Sequence, residues 1–153
     1  MPADSPYTKR QQRYVRVLLR LANRFNTALI RWSGGRIGGS TPTGVTLCLL
    51  TTTGRKSGQE RTVALFYLQD GSDVVLVASQ AGMPTVPASY LNLSANPSVS
   101  IRIGKETRRY HARTATDEEH AQRWPRLVAA FPRFDDYQAR TERVIPVVIC
   151  TPS

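Results

Sequence analysis

Between Val45 and Cys150 the chain is cut into short runs of strand character, and this segmentation most restricts how it can fold. Val45 to Thr53 is apolar with threonines at its end, Arg61 to Gln69 alternates with period two, and Val74 to Ser79 is a continuous β-branched and apolar run. The first two are parted by Gly54 to Glu60 and the next two by the turn signal Asp70-Gly71-Ser72-Asp73, so the three form an antiparallel meander. Ser98 to Ile103 and Glu106 to Thr114 form a hairpin about Gly104-Lys105, and Val144 to Cys150 is a last apolar strand able to close the sheet. About six antiparallel strands with helices between some of them predict a small closed or nearly closed barrel, mainly β with α.

The helices have their own signals. Pro87 to Asn96 reads as a helix stopped by Asn96-Pro97, and Thr116 with Glu119 forms a capping-box pair that starts another near Asp117. Pro125 is expected to kink or restart that helix. Near the start, Tyr14, Val17, Leu18, Leu21, Phe25, Ala28, Leu29 and Trp32 follow the three-and-four spacing of one helical face, while Lys9, Arg10, Arg13, Arg16, Arg20, Arg24 and Arg31 lie mostly off it. The pattern divides the chain into residues 1–40, a basic amphipathic helix with a Gly-rich linker, and residues 41–153, the barrel. The helix either packs on the barrel or lies on an anionic lipid surface.

Twenty-one Lys and Arg against 11 Asp and Glu give a net charge of +10, which calls for an anionic partner: nucleic acid, a membrane surface or an acidic small molecule. No nucleic-acid signature accompanies the arginines of residues 13–31 or 102–113, so nucleic acid is not expected. Cys48 and Cys150 each sit in an apolar run without a Cys/His cluster, which supports neither a metal site nor a disulfide framework and suits a reducing cytosol. Arginines interrupt every apolar stretch near the start and no run has transmembrane length, so the expected location is cytoplasmic, with attachment to the inner membrane face through the helix. His111 lies in a strand and His120 on a charged helix, both expected to be solvated.

The loop Thr53-Gly54-Arg55-Lys56-Ser57-Gly58-Gln59-Glu60-Arg61 carries the clearest chemistry. Two glycines free the backbone, and Arg55, Lys56 and Arg61 supply cationic donors suited to a phosphate. It is no Walker A loop, because it joins two antiparallel strands and leads into no helix. Its local chemistry equally fits an exposed basic turn. With Tyr90-Leu91-Asn92-Leu93, Asn96-Pro97, Ala115-Thr116-Asp117-Glu118-Glu119, Trp124-Pro125, Asp136-Tyr137-Gln138 and Ile145-Pro146-Val147-Val148 following in order, the sequence from Leu47 to Pro152 resembles the deazaflavin-dependent nitroreductase family.

That resemblance implies a split β-barrel, related to the flavin-dependent pyridoxamine-phosphate oxidases, that binds coenzyme F420. The phosphate and polyglutamate tail of F420 would explain the excess of cations. By the resemblance, Arg55, Lys56, Ser57 and Arg61 hold phosphate and tail. The ring and side chain would be lined by Thr62, Val63, Ala64 and Leu65, by Val77, Ala78, Ser79 and Gln80, and by Ala88, Ser89, Tyr90, Leu91 and Asn92. Trp32, Phe131, Phe134 and Tyr137 are expected around a hydrophobic acceptor, each with core packing as its other role.

Two departures bear on the acceptor. The nitroreductase branch has tyrosines where this chain has Phe131 and Phe134, which leaves proton donation to Tyr137, the candidate catalytic residue, or to solvent. Gln80 stands where a lysine commonly follows the serine, which removes one cation from the coenzyme site. An apolar pocket with few donors suits quinones or α,β-unsaturated carbonyl compounds better than nitro compounds. The alternatives are an FMN-dependent oxidoreductase of the same superfamily and a basic membrane-binding domain without catalysis. Assembly into an oligomer is compatible with either.

Overall fold

A computed structural model describes residues 7–33 and 46–153 of the chain. The Gly-rich linker expected at Ser33 to Gly44 lies almost wholly outside the described residues, as does the side chain of Trp32. Six strands, β1 (Thr46–Thr53), β2 (Glu60–Asp70), β3 (Asp73–Val77), β4 (Ser98–Ile103), β5 (Glu106–Thr114) and β6 (Val147–Pro152), close an antiparallel barrel in the order β1-β2-β3-β6-β5-β4. The helices are α1 (Lys9–Ser33), α2 (Ala88–Ala95), α3 (Asp117–Ala130) and α4 (Arg133–Ala139).

Period-two alternation sorts the strands into two faces. Cys48, Leu50, Val74, Leu76, Val99, Ile101, Tyr110, Ala112, Val148 and Cys150 form the interior with Leu93 of α2, and Val63, Leu65 and Tyr67 of β2 pack against them. The other set, Phe66, Leu68, Val75, Val77 and Val147, forms a second cluster with Leu127 and Val128 of α3 and Phe134 and Tyr137 of α4. Asp70 at the end of β2 anchors α3 over this outer face by ion pairs to Arg123 at 3.1 Å and Arg126 at 3.2 Å.

Two expectations are corrected. The last strand begins at Val147 and not at Val144, because Pro146 has no N–H to give a ladder and Val144 is 70% exposed. Nor does the helix restart at Pro125, since α3 runs through it. The N–H missing there would have met the carbonyl of Ala121, on an exposed turn where water can serve that oxygen. The capping box at its start is present, with Thr116 Oγ1 accepting from the Glu119 N–H and the Glu119 carboxylate from the Thr116 N–H.

Helix α1 lies alongside β2, yet much of its apolar face is bare. Tyr14 is 67% exposed, Leu21 57% and Phe25 66%. Among the described residues no helix is long and apolar enough to cross a membrane, and no group of His, Cys, Asp and Glu is placed to hold a metal.

Candidate functional site

The β1–β2 loop is shaped by its own backbone hydrogen bonds. The Gly54 N–H donates to the Gln59 carbonyl at 2.7 Å and the Gly58 N–H to the Gly54 carbonyl at 2.8 Å, which folds the loop back on itself. Gly58 has φ of 70°, the region that favours glycine, and a Cβ at Gly54 would stand 3.1 Å from the Gln59 carbonyl oxygen, a tight fit within the turn. Its exposed part carries Arg55, Lys56, Ser57 and Arg61 into solvent.

Asn92, buried in α2, fixes the loop to the barrel end. Its Oδ1 accepts from the Arg55 N–H at 3.1 Å and its amide nitrogen donates to the buried Thr52 Oγ1 at 3.3 Å. Loop and helix then enclose a cleft of about 610 Å³, lined by the basic loop, Glu60, Thr62, Val63, Ala88, Ser89 and Asn92. That volume is within the range of small-molecule sites. Arg55, Lys56 and Arg61 face one carboxylate, Glu60, so the cleft favours an anion.

From the cleft, the outer face of β2 leads to a second, apolar region. Thr62, whose Oγ1 is 2.9 Å from Thr51 Oγ1, is followed on that face by Ala64 and Phe66, and four residues of strand span about 13 Å. Phe66 meets Phe131 at 4.4 Å between ring centroids, Phe131 meets Phe134 edge-on at 4.9 Å, and Tyr137 stands 6.4 Å from both. Phe134 is buried at 4% exposure, so its ring supports the others, while Phe131 and Tyr137 are half-buried. Tyr137 has the only hydroxyl in this aromatic group.

The structure gathers Arg55, Lys56, Ser57, Arg61, Thr62, Val63, Ala88, Ser89 and Asn92 at the cleft. Leu65 packs against the barrel interior, and Tyr90 does so too while its hydroxyl reaches Thr114 Oγ1 at 2.9 Å. Val77 and Ala78 are buried, and Ser79, Gln80 and Leu91 half-buried, none of them lining the cleft. Gln80 is engaged by the chain ahead of it: with its amide nitrogen toward Thr85, it donates to that carbonyl at 2.9 Å. His120, expected to be solvated, is instead half-buried, with Nε2 2.9 Å from the Ile145 carbonyl and its ring stacked on Trp124.

Phe66 is absent from the residues expected at the site, and Glu60 is expected there only as part of the loop. Phe66 shares a face with Thr62 and Ala64 through simple alternation, so the signal was there once the loop was known to mark the cleft. Could these surfaces accept the coenzyme implied by the resemblance? Their chemistry fits it: cations at one end for phosphate and carboxylates, then a strand face of small side chains, then aromatic rings beside a hydroxyl.

Comparison with known proteins bears on the same point. A family model described as F420H(2)-dependent quinone reductase matches residues 22–152. An F420H(2)-dependent quinone reductase of Mycobacterium tuberculosis is 39% identical over 131 residues, covering 84% of this chain and 88% of that protein. A solved F420-H2 dependent reductase superimposes with a TM-score of 0.64 at 39% identity, over 68% of this chain and 92% of that one. A second structure, described as a domain-swapped dimer, has a TM-score of 0.64 at 37% identity over 81% and 98% of the two chains.

Proposed function

The chain belongs to the F420H(2)-dependent quinone reductase family, and from that membership we propose that it binds coenzyme F420 in the basic cleft and reduces a quinone-type acceptor beside the aromatic cluster. One observation supports the assignment of surfaces: the cleft lined by three cations reaches Thr62 of β2, and two and four residues on along the same face of that strand stand Ala64 and Phe66, whose ring meets Phe131. When bound, the coenzyme supplies the hydride. Arg55, Lys56 and Arg61 would hold its phosphate and tail by charge-assisted hydrogen bonds, with Ser57 as a neutral donor. Thr62, Ala64, Ala88 and Ser89 leave room for the part between.

The protein's own share of the reaction is orientation and proton supply. Phe131 and Phe66 form an apolar wall against which a flat acceptor can lie, which restricts its approach and excludes water. The Tyr137 hydroxyl, the only donor among these rings, would give a proton to the acceptor oxygen as negative charge develops there. With Phe131 and Phe134 lacking hydroxyls, quinones and enones should outrank nitro compounds. Anaerobic single-turnover assays with reduced F420 against menadione, cyclohexenone and a nitroimidazole test this order. A clear preference for the nitro compound defeats it.

The bare face of α1 supports peripheral attachment to an anionic membrane, where lipid-soluble quinones reside. Tyr14, Val17, Leu18, Leu21 and Phe25 are exposed, and Arg13, Arg16, Arg20 and Arg24 flank them, the arrangement of a helix lying in a lipid interface. Full-length chain should sediment with phosphatidylglycerol vesicles and not with phosphatidylcholine vesicles, and a Val17→Glu/Leu21→Glu variant should lose that binding. Equal binding to both vesicles contradicts the proposal. So does self-association that the same variant abolishes while vesicle binding persists, for the face would then belong to a second copy.

A further inference from the structure

Among the described residues, Gln80 and Ala81 are the non-glycine positions with positive φ, at 45° and 55°, and Gly82 follows at 73°. Residues bearing a Cβ seldom occupy that region, so two in succession persist only where the surroundings impose them. Several contacts do so here. Arg143, from the segment before β6, donates to the carbonyl oxygens of Ser79 at 2.8 Å and Met83 at 2.9 Å, with Ala78 O at 3.4 Å. One guanidinium thus grips the turn on both sides.

The remaining contacts say what the turn joins. Gly82 lies directly on α4, where a Cβ would stand 2.9 Å from Tyr137 Cα, so only glycine permits this approach. Gln80 reaches forward to the carbonyls of Thr85 and Val86, just ahead of Ala88 and Ser89 at the cleft. Tyr7 donates to the Ala81 carbonyl at 3.1 Å, and Arg140 donates to the Tyr7 hydroxyl and covers its ring at 5.1 Å. The turn is therefore a seam between the α2 end of the cleft and the helix that carries Tyr137. Arg143 is half-buried and does not line the cleft, so its influence passes through the turn. Burial lowers its pKa, and the partners named for its guanidinium are neutral carbonyls, a costly use of a charge for bracing alone.

We propose that Arg143 is a positioning residue for the reaction: by holding the left-handed turn of residues 80–82 it sets the spacing between the coenzyme cleft and Tyr137. This rests on the coenzyme reading above. Arg143 does not line the cleft, and the cations that hold the tail stand on the β1–β2 side and not on the turn, so in Arg143→Met the F420 dissociation constant should stay within about three-fold of wild type. The single-turnover rate to menadione should fall on the order of 100-fold, as expected when reacting groups lose their alignment. Amide exchange at residues 79–83 should quicken in the coenzyme-free protein. Because glycine accepts positive φ, adding Ala81→Gly should recover about ten-fold of the lost rate.

An unchanged rate in Arg143→Met, a rate loss that Ala81→Gly does not relieve, or a loss explained entirely by weaker coenzyme binding overturns the proposal. If Arg143→Met does not fold, Arg143→Lys with and without Ala81→Gly carries the same comparison. Failure of the wild-type chain to bind F420 would instead overturn the coenzyme reading, which keeps the two ideas separable.

Discussion

At the scale of single residues, Asn92 shows how one side chain can shape a cleft that it also lines. Both ends of its amide are engaged, one by the Arg55 N–H and one by Thr52 Oγ1, a hydroxyl that is 1% exposed. Asn92→Leu leaves that hydroxyl buried without its donor and should lower stability by about 1–3 kcal/mol. It should also weaken F420 binding by loosening the loop, so a thermal melt and a coenzyme titration on one sample check both effects. A melt unchanged from wild type would remove Asn92 from this role. The basic loop was legible in sequence because its cations are contiguous. Arg143 was not, because the carbonyls it grips are some sixty positions away and no local pattern marks them.

Elements were legible where their signals are local. Both halves of the capping box of α3 are written within four residues, and Glu119 also pairs with Arg113 at 2.7 Å. The hydrogen bond from Arg113, then that from the Thr116 N–H, hold the Glu119 carboxyl down at about 2 from its ordinary 4.5. A depressed folded pKa stabilises above the unfolded value and is lost as pH falls through the folded one. Glu119→Gln should therefore melt below wild type at neutral pH, with the gap closing between 4.5 and about 2. A gap that is constant across that range contradicts the assignment. Thr116→Ala should cost about 0.5–2 kcal/mol through the lost cap. Val144 and Ile145 have strand-like side chains, which draws the expected start of β6 too early, whereas the Ile145 backbone is engaged by side chains: Gln138 accepts from its N–H at 2.9 Å and its carbonyl meets His120 Nε2 at 2.9 Å.

For the whole molecule, a small barrel of about six strands follows from strand periodicity, but its closure through the β1–β4 and β3–β6 pairings and the division of labour between its faces do not. Alternation says that Phe66 and Leu65 point opposite ways. Only the order of strands and the anchoring of α3 by Asp70 reveal that the Phe66 side faces the aromatic cluster. The interior gives its own prediction. Cys48 and Cys150 are fully buried, and burial pushes both thiols up from 9.0 to about 12. A thiol raised in the folded state favours folding below 9.0 and loses that contribution as pH climbs toward 12. Below 9.0 a disulfide reagent should therefore not label the native protein, and should count two thiols once denaturant unfolds it. Prompt native labelling would mean that the barrel opens.

The central claim is that the cations of the β1–β2 loop grip the acidic arm of F420, and calorimetric titration of the full-length chain tests it most directly. Removing two charge-assisted contacts in Lys56→Ala/Arg61→Ala should weaken F420 binding on the order of 100-fold or more, while FMN, with no polyglutamate arm, binds wild type less tightly than F420. Equal F420 affinity in wild type and the double variant, or tighter binding of FMN than of F420, would contradict the account.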